Sequence, residues 1–335
     1  MIGGRAEAVP VLCLGEVLID LIASDDATRL EDVTAFAARP GGAPANAAVA
    51  LARLGTASAF CGVVGDDPFG ARLRATLAAK GVDTTRLRAT PDAETTIAFA
   101  WKDTRGDGHF RLLRLADCLL SPDDVAAAGV DRVGAMVVGS VALAAEPSRS
   151  AVMRAAEIAA ASNVPLCFDV NLRPTIWPDL AAARTACEPL LHQATLLKLS
   201  LDDAQSLFPV DDAESALARL DRYGAPFVVL TDGARGAWFG MRGLLRAPAD
   251  RFVPAFAVDA VDPTGAGDAF TAAVVSRLIA NQWERLDRED IVFASAAGAL
   301  TTMRRGAIDA LPTADEIESF LAVRAGEAKR ITPDY

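Results

Sequence analysis

The chain has 335 residues, of which 52% are hydrophobic and 23% charged, and it carries a formal net charge of −11. This composition is typical of a soluble globular protein, and the length suffices for one large α/β domain or two smaller ones. The acidic balance, which no basic cluster interrupts, argues against a nucleic-acid-binding surface.

Cysteine usage and the N-terminal sequence indicate the cellular compartment of the protein. The five cysteines show no Cys-x-x-Cys spacing and only two histidines could join them as ligands, so no structural zinc site is expected. The apolar run Val9–Ile22 contains Glu16 and Asp20, is too short and too charged for a membrane span, and lacks a signal-peptide layout. We therefore expect a cytoplasmic protein without membrane or nucleic-acid partners.

The first elements alternate between strand and helix patterns. A strand is expected over Val9–Ile22, a helix over Ala47–Leu54, a strand over Ala57–Gly65 and a helix over Pro68–Lys80. A glycine-rich turn, Gly41 to Asn46, leads into the first helix, and Asn46 offers both a donor and an acceptor to a polar ligand. From these residues alone, the turn either binds a ligand or only reverses the chain.

A hairpin pattern follows. Thr95–Trp101 alternates, with Ile97, Phe99 and Trp101 on one face. A turn signal at 103–108 and a second strand over Phe110–Leu115 complete the hairpin. It is either a lid over a site or an edge used for dimerisation, or both, and we favour burial of its aromatic face against a second subunit.

From Val133 the alternation of strand and helix becomes regular and predicts a largely parallel sheet with helices on both faces. Strands are expected at 133–139, 165–171, 195–200 and 227–232, helices at 147–161, 179–191, within 202–223, at 288–303 and at 313–324, and a late antiparallel pair at Ala237–Phe239 and Leu244–Ala247. Ligands bind such sheets beyond the carboxyl ends of the strands. The polar residues expected there are Asp169, Asn171, Arg173, Lys198, Ser200, Thr231 and Asp232.

The most informative stretch is 261–272. A strand-like segment, Phe256–Val261, runs into Gly265 and Gly267, which bring free N–H groups to a helix start, where an anion binds well. Asp268 in the first helical turn would repel a bound phosphate, but it suits a base that deprotonates a hydroxyl attacking phosphorus. The alternative, that Asp268 only stabilises the helix start, stays open on this motif alone.

Several familiar motifs are absent from the sequence. No G-x-G-x-x-G follows the first strand, and neither a G-x-x-x-x-G-K-[ST], a G-x-S-x-G nor an H-E-x-x-H occurs. Dinucleotide-binding, P-loop, serine-hydrolase and zincin functions therefore lack support. The remaining parts fit transfer of a phosphoryl group to a hydroxyl of a small polar substrate.

Two motifs carry a family resemblance. Asp262-Pro-Thr-Gly-Ala-Gly-Asp-Ala-Phe resembles the C-terminal signature of the ribokinase-like (PfkB-type) sugar kinases, and Gly41-Gly-Ala-Pro-Ala-Asn-Ala with Leu54-Gly55 resembles their N-terminal signature. The resemblance implies an α/β chain with a ribokinase-like three-layer α/β/α fold and a mostly parallel central sheet. It implies one kinase domain over 1–335, with a small β lid from about 10–45 and 93–116.

Within the family the chain is most similar to bacterial fructokinases. The supporting stretches include Ala116-Asp117, Gly139-Ser-Val-Ala-Leu143, Glu146-Pro-Ser-Arg-Ser-Ala151, Phe168-Asp-Val-Asn-Leu-Arg-Pro with Trp177, and Leu197-Lys-Leu-Ser200. The implied reaction is transfer of the γ-phosphate of ATP to the 6-hydroxyl of fructose. The Asp-x-Asn-x-Arg…Trp element is shared with 2-keto-3-deoxygluconate kinases, so that substrate, another sugar or a nucleoside remains an alternative.

The alternatives differ in what they require of the chain. A carboxylate-bearing substrate would need an extra cation, for which Arg173 and Arg114 are candidates. A non-catalytic sugar-binding protein on the same scaffold would be expected to have lost the base or the anion hole, and the sequence keeps both.

The resemblance assigns roles to individual residues. Asp268 would be the catalytic base, and Gly265, Ala266 and Gly267 would form the anion hole for the γ-phosphate. Asp20, Gly41, Gly42, Asn46 and Arg173 would bind the sugar. Lys198, Ser200, Asp203, Thr231, Gly233, Gly236 and Ser295 would serve ATP. Asp203 would also serve Mg²⁺, and Asp262 and Thr264 a monovalent cation such as K⁺; Ser200 and Asp203 replace the Asn and Glu of many members, a departure in the metal ligands.

Overall fold

The computed structural model describes residues 9–104, 108–242 and 251–331. Its strands are β1 (Val11–Leu14), β2 (Leu18–Ala23), β3 (Phe36–Gly41), β4 (Ser58–Gly65), β5 (Leu87–Thr90), β6 (Ile97–Lys102), β7 (Gly108–Leu113), β8 (Ala135–Val138), β9 (Leu166–Asp169), β10 (Leu196–Ser200), β11 (Phe227–Thr231), β12 (Gly236–Met241) and β13 (Phe252–Pro254). Its helices are α1 (Ala43–Arg53), α2 (Pro68–Ala79), α3 (Pro122–Ala128), α4 (Ser148–Ala161), α5 (Leu180–Gln193), α6 (Leu201–Leu207), α7 (Ala213–Asp221), α8 (Ala266–Ala280), α9 (Arg288–Thr302) and α10 (Ala314–Ile331).

The large sheet contains nine strands within the described ranges, in the order β13-β12-β11-β10-β9-β8-β1-β4-β5. The strands from β11 to β5 in that order pair in parallel, and β12 and β13 add an antiparallel edge. The strand order reverses direction between β1 and β8. Ligands bind parallel sheets at the carboxyl ends of the strands near such a point.

Helices cover both faces of the large sheet. Alternate residues of a strand point to opposite faces, so Leu12 and Leu14 pack into one core with α3 to α7, whereas Val11 and Cys13 pack into the other with α1, α2, α8, α9 and α10. All four side chains of β1 are fully buried, as expected for a strand covered on both sides. The predicted α/β fold, with a mostly parallel sheet between two helical layers, is confirmed.

A second sheet has four strands in the order β3-β2-β6-β7. The predicted hairpin is present as β6 and β7, paired antiparallel from Ile97 with Leu113 to Lys102 with Gly108. Residues 105–107 of its turn lie outside the described residues. The large side chains predicted to share one face, those of Ile97, Phe99 and Trp101, are only half-buried, while the small Ala98 and Ala100 between them are buried.

Two predicted strands are wrong. Val9–Ile22 is not one strand, because β1 ends at Leu14, Gly15 adopts a φ of +147°, and the chain crosses to the small sheet before β2 begins. Phe256–Val261 is not a strand; at its end the N–H of Val261 donates to the carbonyl of Thr302 in α9 at 2.7 Å instead of pairing with a sheet edge.

Other differences are smaller. The structure adds β3, β5, β13 and α3, for which no strand or helix was predicted. Strand β12 pairs with β11 and β13, and the predicted partner segment Leu244–Ala247 lies outside the described residues. No helix in the described ranges is long and apolar enough to cross a membrane.

Candidate active site

Helix α8 begins in the glycine-rich stretch that the sequence singles out. Gly265 precedes it with a φ of +82°, a backbone conformation that favours glycine. The N–H of Ala266 donates to the carbonyl of Pro263 at 3.2 Å, which leaves it less free than predicted. The next two amides, of Gly267 and Asp268, find no acceptor among the described residues, as expected at a helix start. Two N–H groups therefore remain for an anion.

Asp268 lies beside these amides and is 7% exposed. Its Oδ2 accepts a hydrogen bond from Asn46 Nδ2 at 2.7 Å, and its Oδ1 accepts a longer one from Asn171 Nδ2 at 3.4 Å. Burial raises the pKa of Asp268 to about 6, although the bond from Asn46 lowers it. The carboxylate is thus ionised at neutral pH yet basic enough to take a proton. The direct bond also shows that the two glycine-rich motifs meet at one point.

Asp268 and Asn46 line a cavity of about 330 Å³ between the two sheets. The inner face of the small sheet forms one wall, with Leu18, Asp20, Ala98, Phe110 and Leu112. The loops after β9 and before α8 form the opposite wall, with Asn171, Arg173, Thr175, Ile176, Pro263, Thr264 and Gly265. A cavity of this size, lined by both polar and apolar residues, suits a small polar ligand.

Four of the five predicted sugar-binding residues line this cavity: Asp20, Gly42, Asn46 and Arg173. Gly41 does not line it but leaves room for Asp20, because a Cβ at Gly41 would lie 2.0 Å from Asp20 Oδ2. Burial raises the pKa of Asp20 to about 7, against the lowering effect of the Arg173 charge. Arg173 itself is oriented by a 2.7 Å bond from its Nη1 to Asn171 Oδ1.

Glu16 also lines the cavity, although the sequence analysis gave it no role. It lies in the link between β1 and β2, and its Oε1 accepts a 3.3 Å hydrogen bond from the N–H of Ala43 at the start of α1. Burial raises the pKa of Glu16 to about 7. A carboxylate within an apolar run indicates a functional residue, but the prediction of one continuous strand placed Glu16 inside that strand instead of in a loop at the site.

A buried ion pair lies behind Asp268. Lys198 Nζ donates to both carboxylate oxygens of Asp169, at 3.0 and 3.2 Å, and Thr271 Oγ1 donates to Asp169 Oδ2 at 2.6 Å. Lys198 is 5% exposed, and a Cβ at Gly267 would lie 3.6 Å from its Nζ. Burial alone would lower the pKa of Lys198, but the negative charge of Asp169 outweighs this effect. The pKa of Lys198 is therefore raised. The ammonium therefore stays protonated next to the free amides of α8.

We expect Lys198→Met to lower the free energy of unfolding by about 3–5 kcal/mol, because Asp169 would remain as a buried charge without its cation. Urea unfolding at pH 7 measures this. The double variant Lys198→Met, Asp169→Leu removes both charges and should recover most of the loss. A single variant as stable as the wild type, or a double variant no better than the single, would contradict the interpretation.

Ser200 and Asp203 form a reciprocal cap at the start of α6. Ser200 Oγ accepts from the N–H of Asp203 at 3.0 Å, and Asp203 Oδ2 accepts from the N–H of Ser200 at 3.0 Å. Asp203 Oδ1 accepts a 2.9 Å bond from the N–H of Leu172. Each carboxylate oxygen thus already has a backbone donor. No group of three or more potential metal-binding side chains occurs within the described ranges.

The remaining nucleotide-site predictions lie apart from the 330 Å³ cavity. Thr231 ends β11 beside Ser200 of β10, and its Oγ1 donates to the carbonyl of Leu199 at 3.4 Å. Gly233 and Gly236 follow with φ values of +48° and +138° in the turn to β12. Ser295 is buried in α9. None of these residues lines the cavity that holds Asp268.

Asp262 and Thr264 form a compact turn before α8. Asp262 Oδ1 accepts from the N–H and the hydroxyl of Thr264, at 3.0 and 2.6 Å, and Oδ2 accepts from the N–H of Gly306 at 2.9 Å. These bonds lower the pKa of Asp262, so the carboxylate is charged at neutral pH. The turn can therefore contribute an anionic ligand to a cation.

Comparisons with known proteins identify the relatives of this chain. The model of the pfkB family of carbohydrate kinases matches residues 10–314. Fructokinase-1 of Zea mays is 38% identical over 314 residues, which cover 92% of this chain and 96% of that protein. The structure of a fructokinase from Xylella fastidiosa with bound ATP has a TM-score of 0.80 at 30% identity and covers 94% of this chain and 99% of that chain. A fructokinase from Vibrio cholerae O395, solved with fructose, ADP and a calcium ion, has a TM-score of 0.81 at 30% identity, with 93% and 99% covered.

Proposed function

Since the chain belongs to the pfkB family of carbohydrate kinases, we propose that it transfers the γ-phosphate of ATP to the 6-hydroxyl of fructose. The observation that carries this proposal is the position of Asp268. A buried carboxylate with a raised pKa adjoins two free helix-start amides in a cavity of sugar size. Fructokinases among the relatives support the choice of fructose.

The residues divide the reaction between them. Asp268 takes the proton of the attacking hydroxyl, and Asn46 and Asn171 hold its carboxylate in place. The amides of Gly267 and Asp268 stabilise the negative charge on the transferred phosphoryl group. Asp20 and Arg173 bind the other sugar hydroxyls. Proximity and charge stabilisation are the main contributions a protein makes to phosphoryl transfer.

ATP requires a divalent cation, for which we propose Mg²⁺. The bound cation would neutralise phosphate charge, and Mg²⁺ commonly takes most of its ligands from phosphates and water. This suits a chain in which the oxygens of Asp203 already accept backbone bonds. Asp262 and Thr264 are the residues that would hold a monovalent cation such as K⁺. The ATP-binding roles of Lys198, Ser200, Thr231, Gly233, Gly236 and Ser295 are part of the same proposal.

The charges around the cavity favour a neutral sugar over a sugar acid. Arg114, a candidate partner for a substrate carboxylate, instead donates to Asp117 Oδ2 from Nε and Nη2, at 2.8 and 2.6 Å. Glu16, Asp20 and Asp268 all line the cavity. Arg173 is the one cation among the lining residues that the structure describes. A carboxylate-bearing substrate would meet net repulsion there.

Purified protein with Mg-ATP, tested against fructose, 2-keto-3-deoxygluconate, ribose and adenosine, checks this proposal through ADP release. We expect the highest kcat/KM with fructose. Faster turnover of 2-keto-3-deoxygluconate would overturn the substrate assignment, and absence of acceptor-dependent ADP release would overturn the activity.

The raised pKa of Asp268 predicts the pH dependence. Protonated Asp268 cannot act as the base, and burial keeps it protonated up to about pH 6. We expect kcat/KM for the sugar to fall about tenfold per unit as the pH drops below that value, and to level off above it. A profile measured at saturating Mg-ATP tests this. An inflection near the ordinary Asp pKa of about 4 would contradict the assignment.

We further propose that the small sheet, from about 10–45 and 93–116, is a lid over a single kinase domain, and that its outer face forms a homodimer. That face carries half-buried Phe99 and Trp101 and the 42% exposed Leu113. Contiguous apolar surface of this kind is typical of protein interfaces.

All five cysteines are free, which supports a cytoplasmic location.

Phe99→Glu should weaken the dimer at least about 30-fold, because a charge would be desolvated at the interface centre. Sedimentation velocity over a concentration series measures the change. Val323→Glu, at a 61% exposed apolar position on α10, is the matched control and should leave the dimer intact. A wild-type protein that is monomeric at high concentration would refute the dimer.

A further inference from the structure

Asp169 faces Asp268 from behind the sugar cavity. A second cavity, of about 10 Å³, is lined by both carboxylate residues together with Asn171 and Thr271. The rest of its lining comes from apolar residues at the start of α1 and at the end of β8, so the two carboxylates share one small, mainly apolar space. Asp169 does not line the sugar cavity, so any effect it has on the reaction passes through its neighbours.

The fold fixes the position of Asp169 from three elements. It ends β9 directly beside Lys198 of β10, its register partner. Thr271 lies three residues after Asp268 on α8, so both side chains project from the same side of that helix. Three hydrogen bonds from Lys198 and Thr271 hold the buried carboxylate of Asp169 in place.

Lys198 connects this group to the anion hole. Lys198 Nζ lies next to Gly267, since a Cβ built on Gly267 would be 3.6 Å from it. Gly267 supplies one of the two free amides. A buried ammonium there adds positive charge beneath the phosphoryl group at no cost of reorganisation. Its four-carbon side chain is flexible, and two hydrogen bonds to Asp169 hold the ammonium in place.

We propose that Asp169 is a positioning residue for phosphoryl transfer: it anchors Lys198 beneath the amide of Gly267 and places a fixed negative charge behind the base Asp268. The inference rests on the proposed function, since it concerns the same reaction. The charged groups that face Asp268 are Asp169, Lys198, Arg173 and, across the cavity, Asp20. Among them, only Asp169 both raises the pKa of Asp268 and contacts the anion-hole lysine.

Asp169→Asn tests the proposal in three measurements on the full-length protein. We expect kcat to fall about 10- to 100-fold, because a misplaced charge near the reacting group has effects of this size. The KM for fructose should change less than about threefold, because Asp169 does not touch the sugar. The inflection in the pH profile of kcat/KM should move to lower pH, because a like charge behind the base has been removed.

Asp290→Asn is the matched control. Asp290 is a fully buried Asp that accepts a 2.7 Å bond from Arg277 Nε, and it lies outside both cavities. This variant should lose stability but keep the wild-type kcat and the wild-type inflection. If Asp169→Asn leaves the inflection unmoved, or raises KM as strongly as it lowers kcat, its role is structural and the proposal is overturned.

Thr271→Val keeps the test decisive if Asp169→Asn does not fold. Loss of the 2.6 Å bond to Asp169 should lower kcat about three- to tenfold with KM unchanged. An unchanged kcat in a folded Thr271→Val protein would overturn the proposal. A wild-type enzyme that phosphorylates no sugar would overturn the proposed function itself, whereas an active wild type with insensitive variants overturns only the role of Asp169.

Discussion

Replacing Asp268 by Asn is expected to lower kcat by about 10²- to 10⁴-fold while fructose still binds, because the attacking hydroxyl loses its proton acceptor. The amide keeps the size of the side chain and can still bond to Asn46. Steady-state kinetics give the loss of kcat, and calorimetric titration with fructose gives the retained affinity. Near-normal turnover would mean that another group accepts the proton.

The same substitution should not destabilise the fold, and this separates catalysis from helix capping. Burial raises the pKa of Asp268 to about 6, so its ionised form is less stable in the folded chain than in the unfolded one. Above that pH the neutral Asn should therefore add about 1–3 kcal/mol to the free energy of unfolding, and the gain should vanish below about pH 4. A residue that only stabilised the helix start would lose about 0.3–1 kcal/mol on replacement.

Asp315→Asn provides the comparison. Asp315 lies in the first turn of α10, is exposed, and stands away from both cavities. It should show the small stability loss of a helix-start Asp and no kinetic change. If Asp268→Asn behaved in the same way as Asp315→Asn, the structural interpretation of Asp268 would be correct.

The parts of the site that local sequence encodes could be predicted. Gly265 and Asp268 are three residues apart, and a glycine turn into a helix fixes their relative position. Asn46 sits likewise at the start of α1. The 2.7 Å bond that joins the two segments, from Asn46 to Asp268, could not be predicted in the same way, because α1 follows a strand of the small sheet and α8 follows a segment that is not a strand.

Contacts that depend on register between distant strands could not be predicted. The pair of Asp169 and Lys198 exists because β9 and β10 align those two residues. Sequence periodicity places both at strand ends but does not say which neighbours they meet. The role of Asp203 as a cap of α6 was visible in the Ser-x-x-Asp spacing, but the family resemblance directed attention to the metal instead.

The missed elements have similar causes. Strand β5 has four residues at the edge of the sheet, too few for a period to be recognised. Helix α3 has seven residues, but the capping box of Ser121 and Asp124, with Pro122 at the first helical position, was a sequence signal for its start. The break between β1 and β2 at Gly15 is a change of sheet, and an unbroken apolar run gives no sign of which sheet a residue joins.

Gly267→Ala is expected to slow phosphoryl transfer by about 2–4 kcal/mol, or roughly 30- to 1,000-fold. Its φ is not in the left-handed region, and a Cβ there would meet only Lys198 Nζ, at an ordinary contact distance of 3.6 Å. The protein itself therefore has room for the methyl group. The group that loses room is a ligand at the free amides, so kcat should fall with the KM for fructose nearly unchanged.

In Gly267→Ala, as in Asp268→Asn, stability should not fall although activity does. An Ala within a helix is more favourable than Gly by about 0.5–1 kcal/mol, so thermal unfolding should show equal or higher stability. Gly134→Ala is the control, since its Cβ would press on the carbonyl of Val9 at 3.3 Å, just before β8 and outside both cavities. That variant should lose some stability and less than about threefold in kcat. If Gly267→Ala kept wild-type kinetics, the glycine would serve only the fold, and the amides of α8 would not be the phosphoryl site.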